Sequence, residues 1–85
     1  MTEEEVGRVN ELCAGLARDI ARGLERRGYR RVRVYLVRRL DLGAATHVAV
    51  VRRGYARRLH AWARGETPDV ALRLVAREAG VTCRE

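Results

Sequence analysis

The residues of this 85-residue chain that could do chemistry are mostly arginines. All 18 basic residues are arginine, set against 11 acids, for a net charge of +7; lysine, serine, glutamine and phenylalanine are absent. A guanidinium grips phosphate or carboxylate with a planar fork, so a surplus of them predicts an acidic partner: nucleic acid, an anionic surface or an acidic protein. A GC-rich genome, or thermophily, accounts for arginine replacing lysine. It does not account for the excess of positive over negative charge. Other chemistry has little to work with. Without serine there is no serine nucleophile. His47 and His60 lie in no catalytic motif, and with Asp41 they are too few and scattered for zinc. The eight glycines form no phosphate loop. The expectation is a binding protein that is not an enzyme and has neither cofactor nor metal.

The elements that position the arginines follow from periodicity. Val6, Val9, Leu12, Cys13, Leu16, Ile20 and Leu24 recur at spacings of three and four, predicting a helix over 3–27. Thr2 caps it, Glu3–Glu5 suit its positive end and Gly28 stops it. Residues 30–39 alternate and are rich in β-branched types, as a strand does. Asp41-Leu42-Gly43 supplies a turn, and 46–53 forms a second strand paired as a hairpin, ended by Gly54. Residues 55–64 fit two readings. As a helix they align Tyr55, Leu59 and Trp62; as a strand they complete a three-stranded sheet, the preferred reading. Thr67-Pro68-Asp69 opens a last helix with Ala71, Leu72, Leu74, Val75 and Ala79 on its apolar face and Gly80 at its end. The predicted fold is α+β: an α-β-β-β-α two-layer sandwich, a three-stranded antiparallel sheet with two helices on one face.

Alternation then assigns faces. Val32, Val34, Leu36, Val48, Val50, Leu59 and Ala61 are expected under the helices. Arg31, Arg33, Tyr35, Arg39, His47, Val51, Arg53, Arg58, His60, Trp62 and Arg64 are expected on the open face. Arginines for phosphates and rings for unstacked bases make such a face a nucleic-acid surface, for RNA or single strands more than a duplex groove. The binding set is therefore Arg31, Arg33, Tyr35, Arg39, Arg53, Arg58, His60, Trp62 and Arg64. An equally simple reading is an ordinary polar sheet face, with edge-protecting arginines and with Tyr35 and Trp62 shielding backbone or making a dimer contact. Arg18, Arg22 and Arg26 share one stripe of the first helix and read as a solvated face.

Residues 1–85 read as one domain with a thin stability margin. No apolar run reaches the ~20 residues of a membrane span, so no membrane partner is expected. The acidic start, with no apolar stretch behind it, predicts no secretory leader and a cytoplasmic location. Cys13 reads as a small buried hydrophobe and Cys83 as a tail residue, and pairing between them stays open.

The element order resembles double-stranded-RNA-binding domains. Those carry a basic cluster where this chain has Thr67-Pro68-Asp69-Val70-Ala71, so the resemblance implies topology and not duplex binding. The segment Ala61-Trp62-Ala63-Arg64-Gly65-Glu66-Thr67-Pro68-Asp69-Val70-Ala71-Leu72 is similar to the strand and Thr-Pro helix start of small phage-encoded ABA-sandwich proteins. That implies a phage or mobile-element protein, and hence a second expectation. It would be an inhibitor of a host protein complex, of the anti-CRISPR type, with Tyr35 and Trp62 as anchors. The first expectation is a nucleic-acid-binding module; a homodimer through the sheet face or an edge strand is the third.

Overall fold

A computed structural model of the chain describes residues 3–39 and 46–83, and of residues 3–10 the backbone alone. Its elements are α1 (Glu3–Arg26), β1 (Arg33–Arg39), β2 (Thr46–Arg53), β3 (Arg58–Gly65) and α2 (Pro68–Ala79). The strands form one antiparallel sheet in the order β1-β2-β3, and both helices pack on one of its faces, as the sequence predicts. The Thr2 cap, the Asp41-Leu42-Gly43 turn and the side chains of Val6 and Val9 lie outside the described residues.

Helix α1 buries Leu16, Ile20 and Leu24, spaced by four, with Cys13 and Ala21 at the margin of the stripe. Leu12, expected in that stripe, is exposed. The helix stops because Gly28 takes the left-handed conformation (φ 97°), letting the Tyr29 N–H return to the Leu24 carbonyl at 3.2 Å. Gly80 (φ 71°) ends α2 in the same way. Within α2 the buried residues are Ala71, Leu72, Val75, Ala76 and Ala79. Leu74, assigned to that face from sequence, is exposed instead; the helical period carries Ala76 into the interior and Leu74 out of it. Thr67 stands at the N-cap with extended backbone, yet its hydroxyl does not cap the helix. It donates to Asp69 Oδ1 at 2.7 Å, a local alternative that its short side chain reaches more readily.

The sheet carries the larger corrections. Residues directly opposite in an antiparallel pair share a face. Val34 pairs with Val51, and Leu36 with Ala49, so Val51 and Ala49 join Val34 on the helix side, where both are fully buried. Val48 and Val50, expected under the helices, are on the open face, and His47 and Val51, expected there, are not. Strand β3 shifts register at Val51/Arg52: Ala61 pairs with Val51, but Leu59 pairs with Arg52. His60 is therefore an extra residue, a β-bulge, and alternation breaks there. Leu59 moves to the open face beside Trp62, while Arg58, opposite Arg53, moves to the helix side.

Helix α2 lies across β3 and β2, and α1 packs on α2 while touching β1 only lightly. Leu36 faces the helix layer by register but stays exposed. The core shared by α2 and the sheet is rich in small residues, Ala49, Ala63, Ala71, Ala76 and Ala79, beside the larger Val51, Leu72 and Val75, with Ala61 partly buried against it. Gly65 ends this interface. A Cβ there would stand 2.5 Å from the Ala71 nitrogen and 2.9 Å from its Cα, backbone atoms that cannot swing aside. Gly65→Ala is expected to destabilise the domain by roughly 1–3 kcal/mol through overpacking, measured as a lowered denaturant midpoint at unchanged m-value. Gly15→Ala, where an added Cβ meets nothing within 4 Å, should lose none.

Candidate functional site

Cross-strand register builds the open face in rows. Arg33, Arg52 and Leu59 form one; Tyr35, Val50 and Trp62 the next; Val37, Val48 and Arg64 the third; Arg39 and Thr46 the last. The apolar members are well exposed: Tyr35 40%, Val37 45%, Leu59 51% and Trp62 55%. Two shallow hollows lie side by side on this surface. One is lined by Tyr35, Val37, Val50, Arg52 and Arg57. The other is lined by Arg39, Val48, Val50, Arg52, Leu59, Trp62 and Arg64. Val50 and Arg52 line both. Each hollow therefore has one aromatic side chain, an aliphatic floor and at least two guanidiniums. Among the described residues no carboxylate stands on this face.

Two details hold the arginines in place. Arg57, a non-glycine residue in the left-handed region (φ 51°), ends the turn between β2 and β3, and Arg52 Nη1 donates to its carbonyl at 3.1 Å. Arg33 Nη1 donates to the Val32 carbonyl at 3.1 Å.

Of the nine residues assigned from sequence, the structure gathers Arg33, Tyr35, Arg39, Trp62 and Arg64 on the open face. Arg31 precedes β1 in a left-handed conformation (φ 52°), and its guanidinium lies 4.0 Å from the centroid of the Tyr55 ring, at the end of the sheet. Arg53, Arg58 and His60 are removed from the face by the bulge and by the phase of β2. Sequence reasoning missed Val37, Val48, Val50, Arg52, Arg57 and Leu59. Strict alternation from Arg33 and Tyr35 would have included Val37, and nothing local marks the other five.

Arg53 and His60 instead form a cluster on the helix side. Arg53 Nε donates to His60 Nδ1 at 3.1 Å, the Arg53 guanidinium stands 4.9 Å from the Tyr29 ring centroid, and the Tyr29 and His60 rings meet edge-on at 4.7 Å. Burial, then the positive charges of Arg53 and Arg27, hold the His60 pKa below its ordinary value. Arg27 closes the same end of the molecule by donating to the carbonyls of Ala79 (3.2 Å) and Gly80.

Cys13 and Cys83 are free, half-buried thiols, each pushed up in pKa by burial and then by a nearby carboxylate, Asp69 and Asp19 respectively. Among the described residues no three His, Cys, Asp or Glu side chains stand close enough to hold a metal ion, and no helix is long and apolar enough to cross a membrane. Compared with protein-family models, curated proteins and solved structures, the chain matches none of them.

The His60 cluster makes the stability of the domain depend on pH. Since Nδ1 accepts from Arg53, the neutral ring carries its proton on Nε2, and a second proton breaks the bond. The folded pKa lies below the unfolded one, so the unfolded chain takes up more protons between the two values. The stability contribution is complete above about pH 6.5 and is lost as pH falls towards the lower folded value. The difference in unfolding free energy between wild type and His60→Asn should therefore narrow from about pH 7.5 to about pH 5. Equilibrium denaturation of both proteins measures it, and a difference constant across that range refutes the assignment.

Proposed function

We propose that the protein is a non-catalytic nucleic-acid-binding module whose open sheet face takes a single strand, RNA or DNA. The observation that carries this reading is the repetition on the face. One ring, an aliphatic floor and guanidiniums line each of two adjoining hollows, which share Val50 and Arg52. A repeated recognition unit suits a ligand that is itself a repeat, a flat base with a phosphate attached. Stacking on an aromatic side chain is sequence-tolerant because every base has a π-face, and arginine supplies the phosphate contact.

Charge narrows the partner further. The face offers Arg33, Arg39, Arg52, Arg57 and Arg64 and, among the described residues, no carboxylate. Pressing it against a second copy of itself would oppose like charges, which costs several kcal/mol across an interface. A homodimer through this face is disfavoured on that ground, and an anionic partner is favoured. An acidic protein, the target of an inhibitor from a phage or mobile element, shares the charge but not the repeat.

Affinity for a fluorophore-labelled single-stranded oligonucleotide should fall with salt at a log–log slope of about −0.7 per phosphate contacted. Replacing one arginine at each hollow, Arg57→Glu with Arg64→Glu, should abolish binding and leave the far-ultraviolet circular dichroism unchanged. Trp62→Ala should weaken binding by about 1–3 kcal/mol. A salt-independent affinity, or full binding by the double variant, overturns the proposal. So does a domain that ignores single strands and instead forms a complex with an acidic protein, which would give the face to the inhibitor reading.

A further inference from the structure

Among the described residues two other than glycine hold a positive φ, Arg31 (52°) and Arg57 (51°), and both are arginines at the same end of the sheet. Left-handed backbone is costly for a residue with a Cβ, and glycine is its usual occupant. The contact that Arg57 gives the fold, its carbonyl accepting from Arg52, comes from the backbone, and glycine would supply it equally. Strain of this kind collects at ligand sites, where the side chain it presents offsets the cost.

The turn between β2 and β3 brings further arginines to these two. The Gly54 N–H donates to the Arg30 carbonyl at 2.8 Å and the Arg57 N–H to the Gly54 carbonyl at 3.2 Å, so the approach to β1 lies against the turn. Arg33 stands opposite Arg52 in the register. Arg31, Arg33, Arg52 and Arg57 thus gather at one end of the sheet. Neutral groups hold three of the guanidiniums: the Val32 and Arg57 carbonyls for Arg33 and Arg52, and the Tyr55 ring for Arg31. None of the four forms an ion pair with a carboxylate among the described residues. Guanidiniums fixed near one another without a counter-ion repel, and a bound anion relieves them. The opposite end of the face offers two arginines among the described residues, Arg39 and Arg64.

We infer that the turn end of the face is a site for a phosphomonoester, the terminal phosphate of a strand lying on the face. The inference rests on the single-strand reading above and adds which part of the strand this end takes. A phosphate inside a strand carries one negative charge, which a single guanidinium fork matches. A terminal phosphate carries about 1.5 to 2 charges at pH 7 and three acceptor oxygens, a load suited to a group of guanidiniums. Arg52 and Arg57 also line the hollow that contains Tyr35, so a strand anchored by its end has a ring beside it for its first base.

The test uses the full chain and three ten-nucleotide single strands of one sequence with an internal fluorophore. One carries a 5′-phosphate, one a 3′-phosphate, and one has hydroxyls at both ends. Fluorescence anisotropy at fixed ionic strength gives the affinities. One of the phosphorylated strands should bind at least about tenfold tighter than the hydroxyl strand, the gain of one charge-assisted hydrogen bond. Inorganic phosphate, compared with chloride at equal ionic strength, should raise the thermal unfolding midpoint. Arg57→Gly should lose both the preference and the phosphate-induced rise. Its own midpoint in chloride should equal or exceed that of the wild type, because glycine takes the left-handed backbone without strain. A merely weakened fold would lower it. Arg64→Glu, at the other end of the face, should weaken binding of all three strands and keep the preference.

Equal affinity for the three strands overturns the strand-end inference and leaves the single-strand reading standing; stabilisation by inorganic phosphate alone would then give the site to a free phosphate compound. A preference that survives in Arg57→Gly, or is lost in Arg64→Glu, overturns the placement at the turn end. Absence of binding to all three strands overturns both readings.

Discussion

The contact on which the arrangement depends is one of backbone against backbone, where Gly65 at the end of β3 meets Val70 and Ala71 at the start of α2. Around so low a crossing much of the buried filling is small, Ala49, Ala63, Ala71, Ala76 and Ala79, with Val51 the larger side chain that β2 adds. The bulkier interior side chains come chiefly from the helices, with Leu16, Ile20 and Leu24 in α1 and Leu72 and Val75 in α2. Of the larger apolar residues of the sheet, Val51 is fully buried and Val34 packs against the core. Val48, Val50, Leu59 and Trp62 face outward by the register of β2 and β3.

A second constraint acts at the other end of β3. A bulge leaves one residue outside the ladder. The His60 side chain accepts from the Arg53 side chain and meets the Tyr29 ring, so it joins the start of β3 to the end of β2 and to the segment after α1. Arg27, two residues before Tyr29, reaches the last carbonyls of α2. One polar cluster therefore ties four elements together, and it uses two residues, Arg53 and His60, that alternation alone would have sent to the binding surface. It also determines that Leu59 shares a face with Trp62 although the two are three residues apart.

The order and type of the elements were legible because their punctuation is local. Gly28 and Gly80 stop helices, Gly54 ends β2, and Thr67-Pro68-Asp69 opens α2; each acts through backbone conformation that a short window reveals. The faces were only partly legible. Strand β1 alternates over Arg33–Leu36 and keeps its phase to the end, so Arg33, Tyr35 and Arg39 were placed on the open face, although Leu36-Val37 and Arg38-Arg39 break the pattern of residue types. Strand β2 contains Val48-Ala49-Val50-Val51, apolar at four successive positions, so its period of two has no phase. Choosing the larger valines as core inverted it. The pertinent signal was the matching smallness of Ala61, Ala63 and Gly65 in β3 and of Ala71, Ala76 and Ala79 in α2, a requirement of close packing and not of hydropathy. The bulge at His60 left no mark, since its pairing lies in another strand. Arg57 was equally hidden, because its left-handed backbone is a conformation that residue type argues against.

Charge is distributed between the two layers as unevenly as size. The described acids Glu11, Asp19, Glu25, Glu66, Asp69 and Glu78 lie on the helices or on the link into α2, whereas the open face carries arginines. On α1 the stripe of Arg18, Arg22 and Arg26 has Asp19 and Glu25 for neighbours, which lowers its field. The open face itself therefore carries positive charge without a carboxylate among its described residues. Beneath those arginines lie valine, leucine and aromatic side chains in place of water-binding groups. A phosphate contact proposed there would be made beside a poorly polarisable floor, where an ion pair is stronger than on a fully wetted surface. Under the single-strand proposal the exposed apolar residues and the arginines would act on one ligand together, the first holding its flat uncharged part and also strengthening the grip of the second.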